Sequence, residues 1–292
     1  MIKSISYWAF PGGMAGKKNI EEAIGEAGAA GFAGIELCIG TEGELSCGTT
    51  EKRCEQIRQA AQRADVQIVS VATGAFWGMS LTDAKVAVRR QALAFLKDAL
   101  RVAGHLQAGA LLVVPGCVHA DFIPNCAEVP YDEAYKTSRA QIRAALPTAK
   151  RHRVAMCIEN VWNKFLLSPL EFGAFVRGFK SPWVGAYYDV ANNVAYGVSS
   201  HWVLILGKAI KRVHFKEYKK QRNPDGSLTW TGFPEGFTVP LGEGDVNYPA
   251  VLKALKKIRY NGPVTYEWLN LNDDPTVVAR CSQEMDRVLG AA

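Results

Sequence analysis

Short apolar runs alternate along this chain with longer stretches in which apolar residues recur every three or four positions. The runs predict strands at Ile2–Ser6, Gly34–Leu37, Val66–Ala72, Ala110–Val114, Val154–Glu159, Val184–Asp189, Ile210–Phe215 and Pro263–Trp268. The longer period predicts helices over Asn19–Ala30, Thr50–Ala64, Asp83–Ala103, Tyr131 to about Lys150, and Tyr248–Ile258. Another opens at Ser168-Pro169-Leu170-Glu171, where a serine cap, a proline at the first helical position and a glutamate three residues on form a capping box. His201 opens a further helix, and Asp274-Pro275 caps the last one, running to about Leu289. Pro147 is expected to kink the fourth helix or end it early.

Eight strand-then-helix units with no linker-like break predict an α/β fold, a single (β/α)₈ TIM barrel occupying residues 1–292 as one domain. A doubly wound open sheet fits less well. No GxGxxG follows the first strand, and Pro11-Gly12-Gly13 is only a turn.

Hydrophobic residues make up 48% of the 292, enough for a large core and too many for a disordered chain. Lys plus Arg is 34 against 28 Asp plus Glu, a net charge of +6 without any dense basic run, so a nucleic-acid partner is not expected. Seven scattered cysteines with no CxxC pair read as free thiols in a reducing compartment. MIKSISYWAF lacks the apolar core of a signal peptide, and no run approaches a membrane span. A cytoplasmic protein without a membrane partner is the expectation.

In a barrel, chemistry gathers at the C-terminal ends of the strands. Glu36 stands near the end of the second strand, Glu159 ends the fifth in CIEN, and Asp189 ends the sixth in YYDVAN. His214 closes the seventh in VHFKEY and Glu267 the eighth in TYEW. Unpaired carboxylates behind apolar runs are costly, and a shared cation resolves the cost. Glu159, Asp189, His214 and Glu267 form an oxygen-rich donor set for one divalent metal ion. Mn²⁺ is the first expectation, and Co²⁺, Mg²⁺ or Zn²⁺ are alternatives.

From GFAGIEL through IEN, YYDVAN and RVHFKEY to VPLGEGDVNYPAVLKAL and GPVTYEW, the chain resembles the xylose-isomerase-like barrel superfamily, in its sugar (phosphate) isomerase/epimerase branch. That branch includes the D-tagatose/D-psicose 3-epimerases, hydroxypyruvate isomerases and inosose dehydratases. The resemblance implies that Glu159, Asp189, His214 and Glu267 are the metal ligands, with Glu159 and Glu267 also the paired catalytic acid and base. Such a pair can take a proton from carbon beside a ketone and return one through an enediolate, giving epimerisation or isomerisation. The alternatives are a lyase, expelling a leaving group after the same proton abstraction, and a non-catalytic partner subunit. The tagatose-type epimerases carry a histidine three residues after the aspartate ligand, where this chain has Asn192. They have an acidic residue after an Asn-Arg-Phe stretch, where Asn163-Lys164-Phe165 is here followed by Leu166. Their substrate-binding arginine has Lys216 and Lys220 as its nearest counterparts. The related apurinic endonucleases need a histidine-rich three-metal cluster that five scattered histidines do not supply.

Lys216, His119, Asn192, Glu36 and Trp162 are the candidate substrate contacts, and Lys164 is a weaker candidate for binding an anionic group. Trp8, Trp77, Trp162 and Trp268 follow strands at one barrel face and could wall a sugar pocket. The segment Glu217–Glu243, with Trp230, Phe233 and Phe237, is long enough to form a lid. The expected partner is a small sugar, and a homo-oligomer is compatible with the resemblance.

Overall fold

The computed structural model describes residues 1–290. Strands β1 (Ile2–Ser6), β2 (Gly34–Cys38), β3 (Gln67–Ala72), β4 (Ala110–Val113), β5 (Ala155–Glu159), β6 (Val184–Asp189), β7 (Ile210–Phe215) and β10 (Pro263–Tyr266) pair in parallel. They close into a barrel in the order β1-β10-β7-β6-β5-β4-β3-β2. Helices α1 (Ile20–Ala29), α2 (Glu51–Arg63), α3 (Val86–His105), α4 (Tyr131–His152), α5 (Pro169–Arg177), α6 (Ser199–Leu206), α7 (Tyr248–Lys257) and α8 (Val277–Gly290) follow them in turn. This is a (β/α)₈ TIM barrel. The connection from β7 to α7 carries the short antiparallel pair β8 (Gln221–Arg222) and β9 (Leu228–Thr229), and a 3₁₀ turn at Glu235–Phe237.

The strands are apolar almost throughout because helices cover them outside and side chains fill them inside. Every residue of β4, β5, β6 and β10 is buried. Helix starts follow the polar signals. Asn19, Thr50, Ser168 and Asn247 each accept a backbone N–H from three residues on, and Pro169 takes the first helical position as expected.

Three departures from the sequence pattern have a local cause. Asp83 does not start α3: its carboxylate accepts the Lys85 N–H at 2.7 Å in a local turn, and the helix begins at Val86. Asp274 folds back in the same way onto Thr276 (2.9 Å), so α8 begins at Val277. Pro147 does not end α4 early: the helix continues to His152. Proline deprives the Arg143 carbonyl of its partner, but Arg143 and Pro147 are both exposed, so water can take that bond. Ala145 and Ala149 stay buried on the opposite side and hold the helix in place.

All seven cysteines are free and lie buried or half-buried. Among the described residues, no helix is long and apolar enough to cross a membrane.

Candidate active site and metal centre

The C-terminal ends of β5, β6, β7 and β10 deliver four ionisable side chains to one point. Glu159 and Asp189 are the last residues of their strands, His214 the last but one, and Glu267 the first residue beyond β10. Asp189 is paired in register with His214, which is paired with Thr265, and the Glu267 N–H extends the ladder to the Phe215 carbonyl at 2.9 Å. Each of the four offers one donor atom, and these atoms lie within 4.8 Å of one another.

Surrounding groups hold these donors in place. Asn160, next to Glu159, grips the Asp189 backbone in both directions: its Oδ1 accepts the Asp189 N–H and its Nδ2 donates to the Asp189 carbonyl, each at 2.9 Å. Asp189 Oδ1 accepts the N–H groups of Ala191 (2.7 Å) and Asn192 (2.9 Å). His214 Nε2 is 2.9 Å from Glu36 Oε1, while Glu36 Oε2 accepts hydrogen bonds from Ser70 (2.8 Å) and from the Tyr187 hydroxyl (2.5 Å). The outward nitrogen, His214 Nδ1, faces Glu159 at 3.4 Å and Glu267 at 3.7 Å. Lys216 Nζ sits 2.8 Å from Glu267 Oε2.

Of the five buried side-chain polar atoms without a hydrogen-bond partner among the described residues, two, Asp189 Oδ2 and His214 Nδ1, lie in this site. Buried polar atoms are rarely abandoned in this way, and both belong to the converging set. Three carboxylates and one imidazole, each with an unused donor atom or a second oxygen, fit a hard or borderline divalent cation.

The electrostatics fit the same reading. Burial pushes the Glu159 carboxyl up to about 7, with His214 opposing the rise and Glu267 reinforcing it. Burial likewise pushes Asp189 up to about 6 against the pull of Lys216. At Glu267 burial also acts upward, but Lys216 and then His214 outweigh it, so its carboxyl sits below the ordinary value. Burial disfavours the charged form of His214, yet Glu36 and Glu267 overcome it and hold the imidazole well above its ordinary value. The protein therefore gathers protons where a cation would otherwise balance the carboxylates.

Glu159, Glu267, Lys216 and Asn192 form the floor of a cavity of about 800 Å³ at the mouth of the barrel. Asp189 and His214 lie beneath that floor, fully buried.

Residues 24–285 match the family described as xylose isomerase-like TIM barrel. The chain belongs to that family. A protein of Haemophilus influenzae (strain ATCC 51907 / DSM 11121 / KW20 / Rd), provisionally named L-ribulose-5-phosphate 3-epimerase, is 23% identical over 264 residues, covering 88% of this chain and 87% of its own. An Escherichia coli (strain K12) protein with the same provisional name is 24% identical over 247 residues, 80% of this chain and 81% of its own. Among solved structures, L-ribulose 3-epimerase superposes with a TM-score of 0.76 at 15% identity, covering 99% of this chain and 95% of that one. D-Psicose 3-epimerase from Clostridium cellulolyticum H10 gives 0.75 at 15% identity over 99% of both chains. At such identities these structures establish the shared fold, and the relatives are named as sugar epimerases.

Within this xylose isomerase-like barrel, the cavity lining includes Trp8, Trp77, Trp162, Asn192 and Lys216 from the sequence expectations. Four expectations fall elsewhere. Glu36 does not reach the cavity as a substrate contact: it is wholly buried one layer down, bonded to His214, Ser70 and Tyr187. His119 is not part of the lining; its ring nitrogen pairs with Asp121 at 3.3 Å, and the same loop sends Phe122 and Ile123 inward instead. Lys164 pairs with Asp121 on the surface at 2.8 Å. Trp268 points away from the cavity and packs against Tyr266 and under the Arg280 guanidinium, 5.0 Å from its ring centre. The lid segment does reach the site, through Phe233 and Phe237.

The pattern reading missed Asn160, Ser70, Tyr187 and Phe122. Asn160 had a signal, since a polar amide directly after Glu159 breaks an apolar run at a strand end. The other three had none.

Proposed function

We propose that this protein is a metal-dependent sugar epimerase or isomerase, acting on a keto sugar by moving a proton on carbon beside the carbonyl. The observation that carries this reading is the convergence of Glu159, Asp189, His214 and Glu267 within 4.8 Å beneath an open cavity. The names of its relatives point to the same reaction class.

Glu159, Asp189, His214 and Glu267 would hold a divalent ion, Mn²⁺ foremost, through the donor atoms left free in the buried cluster. When bound, such an ion supplies positive charge to the oxygens of a carbonyl and its neighbouring hydroxyl, which makes the intervening carbon acid stronger. Glu159 and Glu267 both reach the cavity floor and come from strands on different sides of the cluster. One carboxylate removes the proton and the other carboxylic acid returns one. Lys216 keeps the Glu267 carboxylate placed through its 2.8 Å contact, and its ammonium offers charge to an oxyanion at the same level. Asn192 is fixed by its bonds to Asp189 and Asn160, which sets its amide as a hydroxyl partner. Trp162, anchored by its indole N–H to the Asn192 carbonyl at 2.7 Å, gives the sugar an apolar wall and limits water.

Incubation of metal-loaded protein with ketoses in D₂O tests this directly. Deuterium should enter at the carbon next to the carbonyl, with an epimer or the aldose isomer as product. Loss of water or of a glycosidic group from the substrate would replace the reading with a lyase. Absence of both exchange and bound metal would refute it.

A further inference from the structure

The walls of the cavity carry information that its floor does not. Five aromatic rings from four βα connections form one arc around it. Trp77, after β3, meets Phe122, after β4, with centroids 4.9 Å apart. Phe122 meets Phe233 of the β7–α7 connection at 5.1 Å, and Phe233 meets Phe237 at 6.0 Å. Phe237 reaches Trp162, after β5, at 5.1 Å and also lies 4.8 Å from Lys216 Nζ. All five line the cavity, and Trp77, Phe122 and Phe233 remain half-exposed within it. Trp77 and Phe233 also pack against the core, yet both stay partly exposed at the cavity, as does Phe122. The volume, about 800 Å³, is near the top of the range of about 300–1,000 Å³ found for sites that hold drug-sized ligands.

The charges in the same lining are also distinctive. Among the described residues they are Glu42, Glu159, Glu267 and a single cation, Lys216, which is buried and already paired with Glu267. Away from the four-ligand floor, the lining offers a phosphate ester one carboxylate, Glu42, and no cation. Three backbone amides of the β7–α7 connection, a region where a barrel often offers N–H groups to phosphate, are taken too. The buried carboxylate of Glu217 accepts the N–H groups of Gly242 (2.8 Å), Val246 (3.0 Å) and Tyr218 (3.0 Å). The chain's own anion occupies that cradle.

We infer that the substrate is an unphosphorylated keto sugar bearing a flat apolar or aromatic group in glycosidic linkage, the sugar on the four-ligand floor and the aglycone along the arc from Trp77 to Phe237. This rests on the proton-transfer reading of the floor and narrows its substrate class. It also separates this chain from relatives named for a 5-phosphate.

Calorimetric titration of the metal-loaded protein with glucose, glucose 6-phosphate and phenyl β-D-glucoside tests the class without requiring turnover. Phenyl β-D-glucoside should bind at least ten-fold more tightly than glucose, and the phosphate should bring no gain. Trp77→Ala and Phe233→Ala, on separate loops and checked for folding by circular dichroism, should each shrink the phenyl-over-glucose ratio toward one. A tighter phosphate ester, or no gain from the phenyl group, overturns the inference. Deuterium exchange with the 3-keto forms of the same three sugars separates the two readings. The expected order of affinities with no exchange would refute the proton-transfer reading and leave the substrate class standing. Exchange fastest on the phosphate ester would do the reverse.

Discussion

His214 Nε2 lies 2.9 Å from Glu36 Oε1, and both side chains are fully buried. A carboxylate can only accept there, so Nε2 carries a hydrogen and Nδ1 is the nitrogen turned toward Glu159, Glu267 and the orphaned oxygen of Asp189. Glu36 thus selects the tautomer and the ring orientation of a proposed ligand without touching the cavity. Groups in this position typically change metal affinity by about 10–100-fold when altered. Glu36→Gln should therefore weaken Mn²⁺ binding on that scale while retaining the fold. Titration against a competing chelator reads the effect, and an unchanged affinity would show that Glu36 is only a buried packing group.

The same cluster should couple metal binding to pH. In the metal-free protein Glu159 is raised from 4.5 to about 7 and Asp189 from 3.8 to about 6, both chiefly by burial. Folding therefore takes up protons. The metal-free protein keeps this stability below the ordinary carboxylate values, and loses it as pH rises through about 6 and then about 7. Metal must displace those protons, so its binding tightens over the same window. The rise in Tm on adding Mn²⁺ should be small at pH 5 and grow toward pH 8. Metal at a hundredfold excess over its Kd would contribute about 2.7 kcal/mol. A Tm increment that is flat with pH would mean that these carboxyls do not hold the ion.

Much of this centre is legible in the sequence for a simple reason. Glu159, Asp189 and Glu267 each end an apolar run, and strand ends are where a barrel opens to solvent. Depth is what the run does not encode. Glu36 has the same surroundings in sequence, but it is the third of five residues in β2, paired with Ser6 and Ser70, and its side chain enters the barrel below the donors. Alternation distinguishes inward from outward and not one inward layer from the next. The same alternation does speak to Trp268, which follows inward-facing Glu267 and therefore turns outward. Phe122 lies on a loop with no period at all, and only the closure of the barrel brings it against Trp77 and Phe233.

Glu159→Gln and Glu267→Gln should separate chemistry from binding. Each keeps the size of the side chain and removes its ability to exchange a proton. Loss of one acid–base group costs about 10²–10⁴-fold in rate. Both variants should lose turnover on that scale with KM changed far less. Wild-type kcat in either would refute the two-carboxylate mechanism.

Lys216 should behave differently from both glutamates. It is 7% exposed and its ammonium is the partner of Glu267 Oε2. Lys216→Met removes the charge, leaves Glu267 without that partner and retains the apolar stem packed near Phe237. The expected result is a fall in kcat together with a rightward shift of the acidic limb of the kcat/KM profile with pH, since Glu267 then holds its proton more firmly. Lys216→Arg should restore part of the rate. A lower kcat with an unmoved pH profile would make Lys216 a packing residue rather than the group that places Glu267.

The carboxylate of Glu217 predicts how the loop behind the cavity responds to a single methyl group. A Cβ on Gly244 would lie 2.4 Å from Glu217 Oε1 and 2.5 Å from its Cγ, so the side chain must move. Moving it strips the N–H groups of Gly242 and Val246 of their acceptor, next to a carboxylate that is 1% exposed. Leaving such buried groups unpaired costs about 1–3 kcal/mol. Gly25 offers the opposite case on the same readout: it lies within α1, and a Cβ there meets nothing within 4 Å. Gly25→Ala should raise stability by up to about 1 kcal/mol through helix propensity. Thermal unfolding should therefore show a lowered Tm for Gly244→Ala and a raised one for Gly25→Ala. Because Glu217 follows Lys216 directly, Gly244→Ala should also lower turnover. A neutral Gly244→Ala would mean that this loop yields freely and that the Glu217 contacts do not fix it.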